Sequence, residues 1–399
     1  MLGRLRNVWR GWSGRSTSGP LMVGQGRQSA AGKSVSVETA LTLSAVWACV
    51  SRTAQVIASL PLDQYQRAGA GMRVRVDDDL SDILTVSPNR DQTSFEFWQT
   101  MVAHLVLRGN GIAERGLIGS RTASLTPLIN AEPERDCDGA LVYAFNDRGQ
   151  RVVLPAEKVF HLRGFGAGNG VGLSAIRYGA NAMGAALAAD ETAGAFFEGG
   201  MMPSGFVTTD TTLNPEQREQ LSALLSSYAG SRRAGKVMVL EAGLKYAGVQ
   251  MNPEDVQLIE TRRFQIEDVC RFFGVPPIVI GHSSDGQTMW GTGVESVLIS
   301  WLTMGINPLL SSIEARILKD LVSDPRRRFF EFNREAMLQM DSAAKINFLS
   351  KGVSGGLMTP NEGRQKINLP GAGAPGDQLF MNGTFTPIGD LGKGRSNGR

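Results

Sequence analysis

The chain has 399 residues, 42% of them hydrophobic and 20% charged, and this length predicts two or three compact units rather than a single core. The net charge of +3 hides an uneven distribution, because residues 1–34 carry six bases and no acid, and residues 371–399 carry three bases and two acids. The body between them holds 32 bases and 36 acids, so it is mildly acidic and does not indicate the broad basic face of a protein that grips nucleic acid tightly.

The cysteines, the N-terminus and the longest uncharged run are typical of a folded cytosolic protein. Cys49, Cys137 and Cys270 are far apart and show no CxxC spacing, so we predict reduced thiols and neither a disulfide framework nor a zinc site. The basic N-terminus lacks the apolar run of a signal peptide. The uncharged run 296–313 contains four serines and Pro308, and we interpret it as a buried helix and not as a membrane span.

The first part of the chain predicts a mixed α+β region that follows a disordered tail. Residues 1–35 are rich in Gly, Ser and Arg without periodicity, which predicts a disordered basic tail. Apolar residues at helical spacing between Thr42 and Pro61 predict a helix, and a capping box at Thr93 predicts a second helix that ends at Gly109. Alternating polar and apolar residues then predict strands at 112–118, 141–145 and 152–162.

The middle of the chain predicts two long helices with a small module between them. Residues 173–200 are rich in Ala and Gly, and since each helical glycine costs about 1 kcal/mol relative to alanine, a closely packed neighbour is expected to compensate. The insert 201–251 predicts a strand, a helix with Asn214 as N-cap, and a β-hairpin. The same N-cap pattern at Asn252 opens a second long helix over 252–275, which a glycine and two prolines stop.

The last third predicts a polar loop, a kinked helix and several small elements. Residues 281–293 form a glycine-bounded polar loop, and the long helix that follows contains Gly305 and Pro308 in its middle, which require a kink. The remaining expectations are a strand at 329–333, short helices at 343–351 and 360–367, and a mobile glycine-rich tail at 371–399.

Three groups of residues have the types that chemistry requires, and each also has a simpler interpretation. His282, Ser283 and Asp285 are the residue types of a hydrolytic triad, but no GxSxG elbow accompanies them, so a polar loop is favoured. The run Arg163–Gly172 is glycine-rich like a phosphate loop but lacks the Gly-Lys-Ser/Thr ending, which favours a hinge. The consecutive acids Asp77–Asp79 point to different sides and favour a solvated loop over a metal site.

The remaining histidines also favour structural roles. His104 lies within an apolar helix and His161 within a strand-like run, so both are expected to be packed residues rather than metal ligands. We therefore predict no catalytic residue, no metal and no cofactor.

Seven segments resemble the portal protein family of tailed bacteriophages, of the long-tailed type that is also found in prophages and gene transfer agents. In chain order they are SAVWACVSRTAQVIASLPLDQYQ (Ser44–Gln66), LVLRGNGIAE (Leu105–Glu114), VFHLRGFG (Val159–Gly166), GLSAIR (Gly172–Arg177), FFEGGMMPSG (Phe196–Gly205), IETRRFQIEDVCRFFGVPP (Ile259–Pro277) and MTPNEGR…NLP (Met358–Pro370). Any one segment alone is weak, but their order and spacing fit the family from about Thr42 to Leu369.

The resemblance implies an α+β portal fold that assembles as a ring, with a wing, a helical stem, a small α/β clip and a short helical crown around a channel. It implies these divisions: a wing at 36–172 continued by the kinked helix and return strand at 294–333, stem helices at 173–200 and 252–275, a clip at 201–251, a channel loop at 281–293, and a crown at 334–370.

The family also implies a function, a location and partners. The ring would pass double-stranded DNA into and out of the capsid without sequence preference, and would dock the large terminase subunit during packaging and head-completion or adaptor proteins afterwards. The expected partners are further copies of the chain in a dodecamer, the DNA, the major capsid protein and these docking proteins, with no membrane. The expected location is the capsid vertex of a virion assembled in the host bacterial cytoplasm.

Three sets of site residues follow from the resemblance. The channel loop would bring to DNA His282, Ser283, Ser284, Asp285, Gln287, Met289 and Trp290. The clip would dock the terminase or an adaptor through Glu216, Arg218, Arg232 and Arg233. The stem would pack between subunits through Ala182, Gly184, Ala185, Ala189, Gly194, Arg262 and Arg263.

Other function classes stay open at this point. A different ring-forming adaptor or minor capsid component would lack a DNA channel, and a monomeric binding module would lack the ring, so the mass of the purified protein separates these classes. A hydrolase acting through His282 and Ser283 would lose its activity in the His282→Ala variant.

Overall fold

The computed structural model describes residues 26–68, 72–166, 168–198, 205–208, 214–216, 219, 245–248, 253–282, 292–334, 342–367 and 369–380. Its helices are α1 (Val37–Ala40), α2 (Ser44–Ser59), α3 (Asp79–Thr85), α4 (Ser94–Arg108), α5 (Ala175–Tyr178), α6 (Ala180–Glu198), α7 (Pro253–Phe273), α8 (Thr292–Trp301), α9 (Asn307–Asp320), α10 (Ser342–Ser354) and α11 (Pro360–Gln365). Its strands are β1 (Arg27–Gln28), β2 (Ser34–Val35), β3 (Leu62–Ala68), β4 (Met72–Arg75), β5 (Asn110–Ile118), β6 (Arg121–Pro127), β7 (Glu132–Arg135), β8 (Leu141–Asp147), β9 (Gln150–Pro155), β10 (Val159–Arg163), β11 (Gly205–Thr208), β12 (Lys245–Gly248) and β13 (Arg328–Phe332).

The strands form small antiparallel sheets, so the predicted mixture of helix and strand is confirmed. The three-stranded sheets have the orders β10-β5-β6, β7-β8-β9 and β13-β3-β4. In the last of these, Phe332 pairs with Leu62, so the strand after the long kinked helix returns to the N-terminal part of the chain. This pairing closes the first of two compact units, which ends at Asn333.

Two helices predicted from spacing and capping are confirmed. Helix α2 buries Val46, Val50 and Ile57 on one face. Helix α4 begins at the capping box, where the Glu96 N–H donates to Thr93 Oγ1 at 3.3 Å and the Thr93 N–H donates to the Glu96 carboxylate at 2.8 Å. These local interactions satisfy amides that the first turn leaves without helical partners, which is why the sequence alone located the helix.

The expected disordered tail is wrong for residues 26–35. Strands β1 and β2 pair as a hairpin, and Val35 is completely buried in a cluster with Val46 and Met183. The Ala30 N–H donates to Asn181 Oδ1 at 3.1 Å, which fixes the hairpin turn to α6. The segment folds because it covers apolar surface on distant helices, and two-residue strands carry no periodicity that would have announced it.

The uncharged run forms two helices joined by a π-helical turn at Leu302–Ile306. Pro308 lies in the first turn of α9, so the interruption falls where the kink was predicted. The expectation of a buried helix is wrong for α8, because no residue from Gly293 to Ser300 is buried. Helix α9 contacts β13 and β10, and it buries Leu310 and Ile313 on the sheets.

The second unit begins at Arg334, where the resemblance places the crown, and contains α10 and α11. The expected mobile tail is wrong for its first residues. The side chain of Asn361 accepts from the Ala372 N–H at 2.7 Å and donates to the Gly373 carbonyl at 3.1 Å and to the Asp377 carboxylate at 2.7 Å. These bonds from one side-chain amide hold a 3₁₀ turn at Ala374–Asp377 in place although the glycine-rich segment has few apolar residues to pack.

Candidate functional site

The predicted channel loop is described only at its start. Gly281 ends a 3₁₀ turn at Pro277–Ile280, and the His282 N–H donates to the Pro277 carbonyl at 3.0 Å. The other loop residues named from the sequence, Ser283, Ser284, Asp285, Gln287, Met289 and Trp290, lie outside the described residues. His282 is half-buried, and the contact of the loop residues with DNA stays a prediction.

The helix that leaves this loop carries an unburied apolar surface. In α8 and the π-helical turn after it, Ile299 and Met304 are 43% and 78% exposed, and Leu298 is 38% exposed. Within the described residues, Gly293–Asp320 is the one helix whose length and apolar composition would suffice to cross a bilayer, with only 22% of its apolar window buried. The same composition fits a helix that another protein surface covers, and exposed apolar surface of this kind is typical of interaction sites.

Helices α6 and α7 pack beside each other and correspond to the two predicted stem helices. Gly184 is buried, and a Cβ atom there would lie 2.2 Å from the Cβ and Oγ atoms of Ser29 in the N-terminal hairpin. The close neighbour that the sequence required at Gly184 is therefore in the same chain and not in a second subunit. A Cβ atom on Gly194 would meet no atom within 4 Å, so this face of α6 is open.

The other predicted stem contacts stay predictions. Ala182, Ala185 and Ala189 are partly exposed on α6, and Arg263 is exposed on α7. The side chain of Arg262 lies outside the described residues.

The predicted clip is described at its base. Strands β11 and β12 pair antiparallel, with Gly205 opposite Gly248 and Thr208 opposite Lys245, so the two ends of the insert are held together. Glu216 is exposed, whereas Arg218, Arg232 and Arg233 lie outside the described residues. The docking role of these side chains stays a prediction.

His161 is completely buried in a hydrogen-bond network. Its Nδ1 accepts from the Tyr143 hydroxyl at 2.9 Å and from Arg163 Nε at 3.2 Å, so Nε2 carries the proton and donates to Asn110 Oδ1 at 2.9 Å. Burial, followed by the charges of Arg163 and Arg316, holds the pKa of His161 well below its ordinary value. His161 is thus a neutral, packed residue with both nitrogens occupied, as predicted from the sequence.

His104 is also a packed residue rather than an exposed ligand. It lies half-buried in α4, and burial, with a smaller contribution from Arg108, lowers the pKa of His104 to about 4. Its ring is therefore neutral at physiological pH, in agreement with the interpretation of the apolar helix around it.

The two glycines at the ends of the described parts of the run, Gly164 and Gly172, use their amides for bonds within the chain. The Gly164 N–H donates to the Gly109 carbonyl at 2.8 Å, and the Gly172 N–H donates to Asn110 Oδ1 at 2.9 Å. A phosphate loop needs such amides free to point at the ligand. A Cβ atom on Gly172 would lie 1.9 Å from the Gly109 oxygen, so close backbone packing, and not the expected hinge, explains this glycine.

The interpretation of Asp77–Asp79 as a solvated loop is wrong for the central residue, Asp78. Asp78 is the N-cap of α3, and its Oδ1 accepts from the N–H groups of Leu80 and Ser81 at 3.1 and 3.0 Å. Its Oδ2 accepts from Gln64 Nε2 at 3.0 Å and from Arg328 at 2.6 Å. In the described part of the chain no cluster of His, Cys, Asp or Glu is arranged to hold a metal ion.

Asn110 is the main residue of this region that the sequence did not single out. Besides its bonds to His161 and Gly172, its Nδ2 donates to the carbonyl oxygens of Arg108 and Gly172 at 2.9 Å each. The only available signal was an asparagine directly after the helix-ending Gly109. An asparagine is a common residue near the C-terminal end of a helix, so its presence there does not reveal that its side chain bonds His161 and Gly172, more than fifty residues further along the chain.

The chain matches known proteins over most of its own length and most of theirs. The family described as phage portal protein matches residues 44–368. The portal protein of Enterobacteria phage HK97 is 32% identical over 376 residues, which cover 92% of this chain and 88% of that protein. The probable portal protein of Streptomyces phage phiC31 is 28% identical over 360 residues, which cover 86% of this chain and 78% of that protein.

The fold also matches a solved structure. In the neck of a native gene transfer agent particle, computed with C12 symmetry, one chain matches with a TM-score of 0.60 and 21% identity over 84% of this chain and 92% of that chain. At this identity the match shows a common α+β fold.

Proposed function

The chain belongs to the phage portal protein family and functions as a portal, and on that premise we propose that twelve copies form a ring at one vertex of a virion, through which double-stranded DNA passes. The C12 symmetry of the neck structure with a similar fold supports this number. In the proposed ring the wing is 36–172 with 294–333, the stem is 173–200 with 252–275, and the clip is 201–251. The channel loop is 281–293, and the crown is 334–370.

The observation that carries the proposal is the unburied apolar surface of α8 and the π-helical turn after it. Ile299 in α8 and Met304 in the turn are exposed in the single chain, although the helical stretch Gly293–Asp320 to which they belong is long and apolar. Covering such side chains contributes roughly 25 cal/mol per Å² of apolar area removed from water, so a neighbouring copy that covers α8 stabilises the ring. When one surface meets a different surface of the next copy, the copies form a closed ring if the rotation between neighbours closes on itself.

The position of the loop relative to α8 supports contact with DNA. Residues 283–291 join the turn at Pro277–Ile280 to the start of α8. If the copies surround a hole with α8 at its wall, the polar side chains of the loop, among them Gln287, reach the duplex. A mildly acidic body is suited to this task, because each DNA phosphate that a basic side chain neutralises raises the affinity of the protein for DNA, and tighter binding opposes sliding.

The insert between the paired strands supports a docking module. Strands β11 and β12 pair, so the two ends of the insert lie side by side between α6 and α7, as the base of a separate module requires. We assign to it the docking of the large terminase subunit during packaging and of head-completion or adaptor proteins afterwards, with the major capsid protein around the wing. Assembly takes place in the host bacterial cytoplasm, and the role is structural rather than enzymatic.

Mass measurement and imaging of the purified chain test the proposal. The expected result is a closed ring of twelve subunits with an open channel when viewed along its axis. A ring without a channel would assign the chain to an adaptor role instead, and a chain that stays monomeric at all concentrations would contradict the proposal.

A further inference from the structure

Cys49 and Cys270 meet in the interior although they are 221 residues apart. Cys49 lies on α2 and Cys270 on α7, and their side chains are almost completely buried. Their Sγ atoms are 3.8 Å apart, with the Cys49 thiol donating to the Cys270 sulfur. A disulfide needs an S–S distance of about 2.05 Å, so the two sulfur atoms must come closer by about 1.8 Å to bond.

We propose that Cys49 and Cys270 form an oxidation site, a thiol pair that a peroxide converts into a disulfide linking α2 to α7. The third cysteine, Cys137, is exposed and separate from the pair. Neither cysteine is among the residues assigned to the channel loop, the clip or the stem contacts, and the chemistry of the pair stands on the geometry of one chain. Its biological use rests on the proposed function, because a virion leaves a reducing cytosol for oxidising surroundings.

A pocket borders the pair on the side of Cys270, whose side chain is 1% exposed. A cavity of about 390 Å³ is lined by Cys270 together with Glu267, Val275 and Pro276, and it reaches the surface at Arg271 and Gly274. A molecule as small as hydrogen peroxide fits this space. Cys49 lies behind Cys270 on α2 and is therefore suited to react second.

The electrostatics of the pair favour the same order. The hydrogen bond from the Cys49 thiol lowers the pKa of Cys270, against the effect of burial. The same hydrogen bond and burial raise the pKa of Cys49. Since the thiolate is the nucleophile, Cys270 attacks first.

The reaction balances with one peroxide for two thiols. The Cys270 thiolate attacks one peroxide oxygen, the O–O bond breaks, and hydroxide leaves and takes up the thiol proton as water, which leaves a sulfenic acid. The Cys49 sulfur then attacks the Cys270 sulfur, and the departing hydroxide takes the Cys49 proton as a second water. Both cysteines are oxidised and the peroxide is reduced to two waters.

The disulfide would restrain α7 against α2. Helix α2 belongs to the buried cluster that contains Val46 and Val50, whereas α7 begins beside the insert and ends at Phe273. Cross-linking residues so far apart in sequence removes much conformational freedom from the unfolded chain. Oxidised protein should therefore unfold at a temperature several degrees higher than reduced protein.

The test treats the purified, folded full-length chain with hydrogen peroxide, blocks the remaining thiols, and measures intact mass and cross-linked peptides. Wild type and the Cys137→Ser variant should each lose two hydrogen atoms and yield a peptide joining residues 49 and 270. The variants Cys49→Ser and Cys270→Ser should yield no such peptide. A reducing agent should reverse the mass change and the rise in the unfolding temperature.

Two outcomes overturn the inference. One is wild-type protein in which only Cys137 is oxidised, and the other is a 49–270 link that forms only after the chain is denatured. Ring formation is measured separately by mass on the same samples. The absence of rings would therefore contradict the proposed function while leaving the result for the thiol pair intact.

Discussion

The carbonyl oxygen of Gly109 lies 1.9 Å from the position that a Cβ atom on Gly172 would take. The two residues belong to separate segments, the end of α4 and the end of the glycine-rich run, and Asn110 bonds both main-chain groups of Gly172. This contact fixes the chain directly before α5 and α6. The position of α6 therefore depends on a backbone contact that only glycine allows.

The Gly172→Ala variant is expected to be destabilised by at least about 2 kcal/mol, because the added methyl group meets backbone atoms that no side-chain rotation can move away. Gly168→Ala is the matched control in the same run. A Cβ atom there meets no neighbour, and only the positive φ of 83° opposes the substitution. Thermal unfolding of both variants checks the prediction, and a wild-type midpoint for Gly172→Ala would contradict it.

Two alanine substitutions in α6 separate packing within the chain from packing between subunits. Gly184→Ala should weaken the single chain, because its methyl group would displace Ser29 and the N-terminal hairpin. Gly194→Ala should stabilise the single chain by up to about 1 kcal/mol through helix propensity, since nothing lies near its Cβ position. If Gly194 faces a second subunit, as predicted, the same variant should lower the fraction of ring. Unchanged ring formation would remove Gly194 from the subunit interface.

The sequence predicted the elements whose causes are local and missed those whose causes are distant. Thr93 and Glu96 are three residues apart and define a helix start on their own, and Pro308 disrupts a helix that runs through it but fits the first turn of a new one. In contrast, Val35 folds because α2 and α6 surround it. Gly184 shows the limit at the candidate site: the need for a close neighbour was readable, but its identity, Ser29, was not.

The stability of the fold should fall as the pH drops below about 6.5. The pKa of His161 in the folded chain lies well below its ordinary value, so on acidification the unfolded chain binds a proton before the folded chain does. Below pH 6.5 the free energy of unfolding therefore falls by up to about 1.4 kcal/mol for each pH unit. His104, with a pKa of about 4, acts in the same direction. Unfolding midpoints between pH 8 and pH 5 measure the effect.

The control for this pH dependence is the His161→Gln variant. It should be less stable than wild type at pH 7.5, since it cannot satisfy Tyr143, Arg163 and Asn110 together. It should also lose less stability on acidification, because one of the groups that gains a proton on unfolding is gone. An equally steep pH dependence in both proteins would show that His161 is not responsible.

Ring formation should depend on the apolar side chains of α8 and the turn after it. Ile299→Ser and Met304→Ser should each lower the fraction of ring at a given concentration, because the serine side chain loses the apolar area that a neighbouring copy would cover. The unfolding temperature of the single chain should hardly change, since both residues are exposed there. Ile118→Ser, at a 75% exposed site on β5, is the matched control and should leave the rings unaffected.

Deletion of residues 284–291 should leave the ring intact and impair the packaging or retention of DNA. The deleted residues lie outside the elements on either side, the turn at Pro277–Ile280 and α8, whose own backbone hydrogen bonds do not involve them. A Gly/Ser segment of equal length in the same place separates the loss of side chains from the loss of length. DNA retained per particle is the measurement. Loss of the ring itself would mean that the loop holds the subunits together, and normal DNA retention in both variants would mean that it does not touch the duplex.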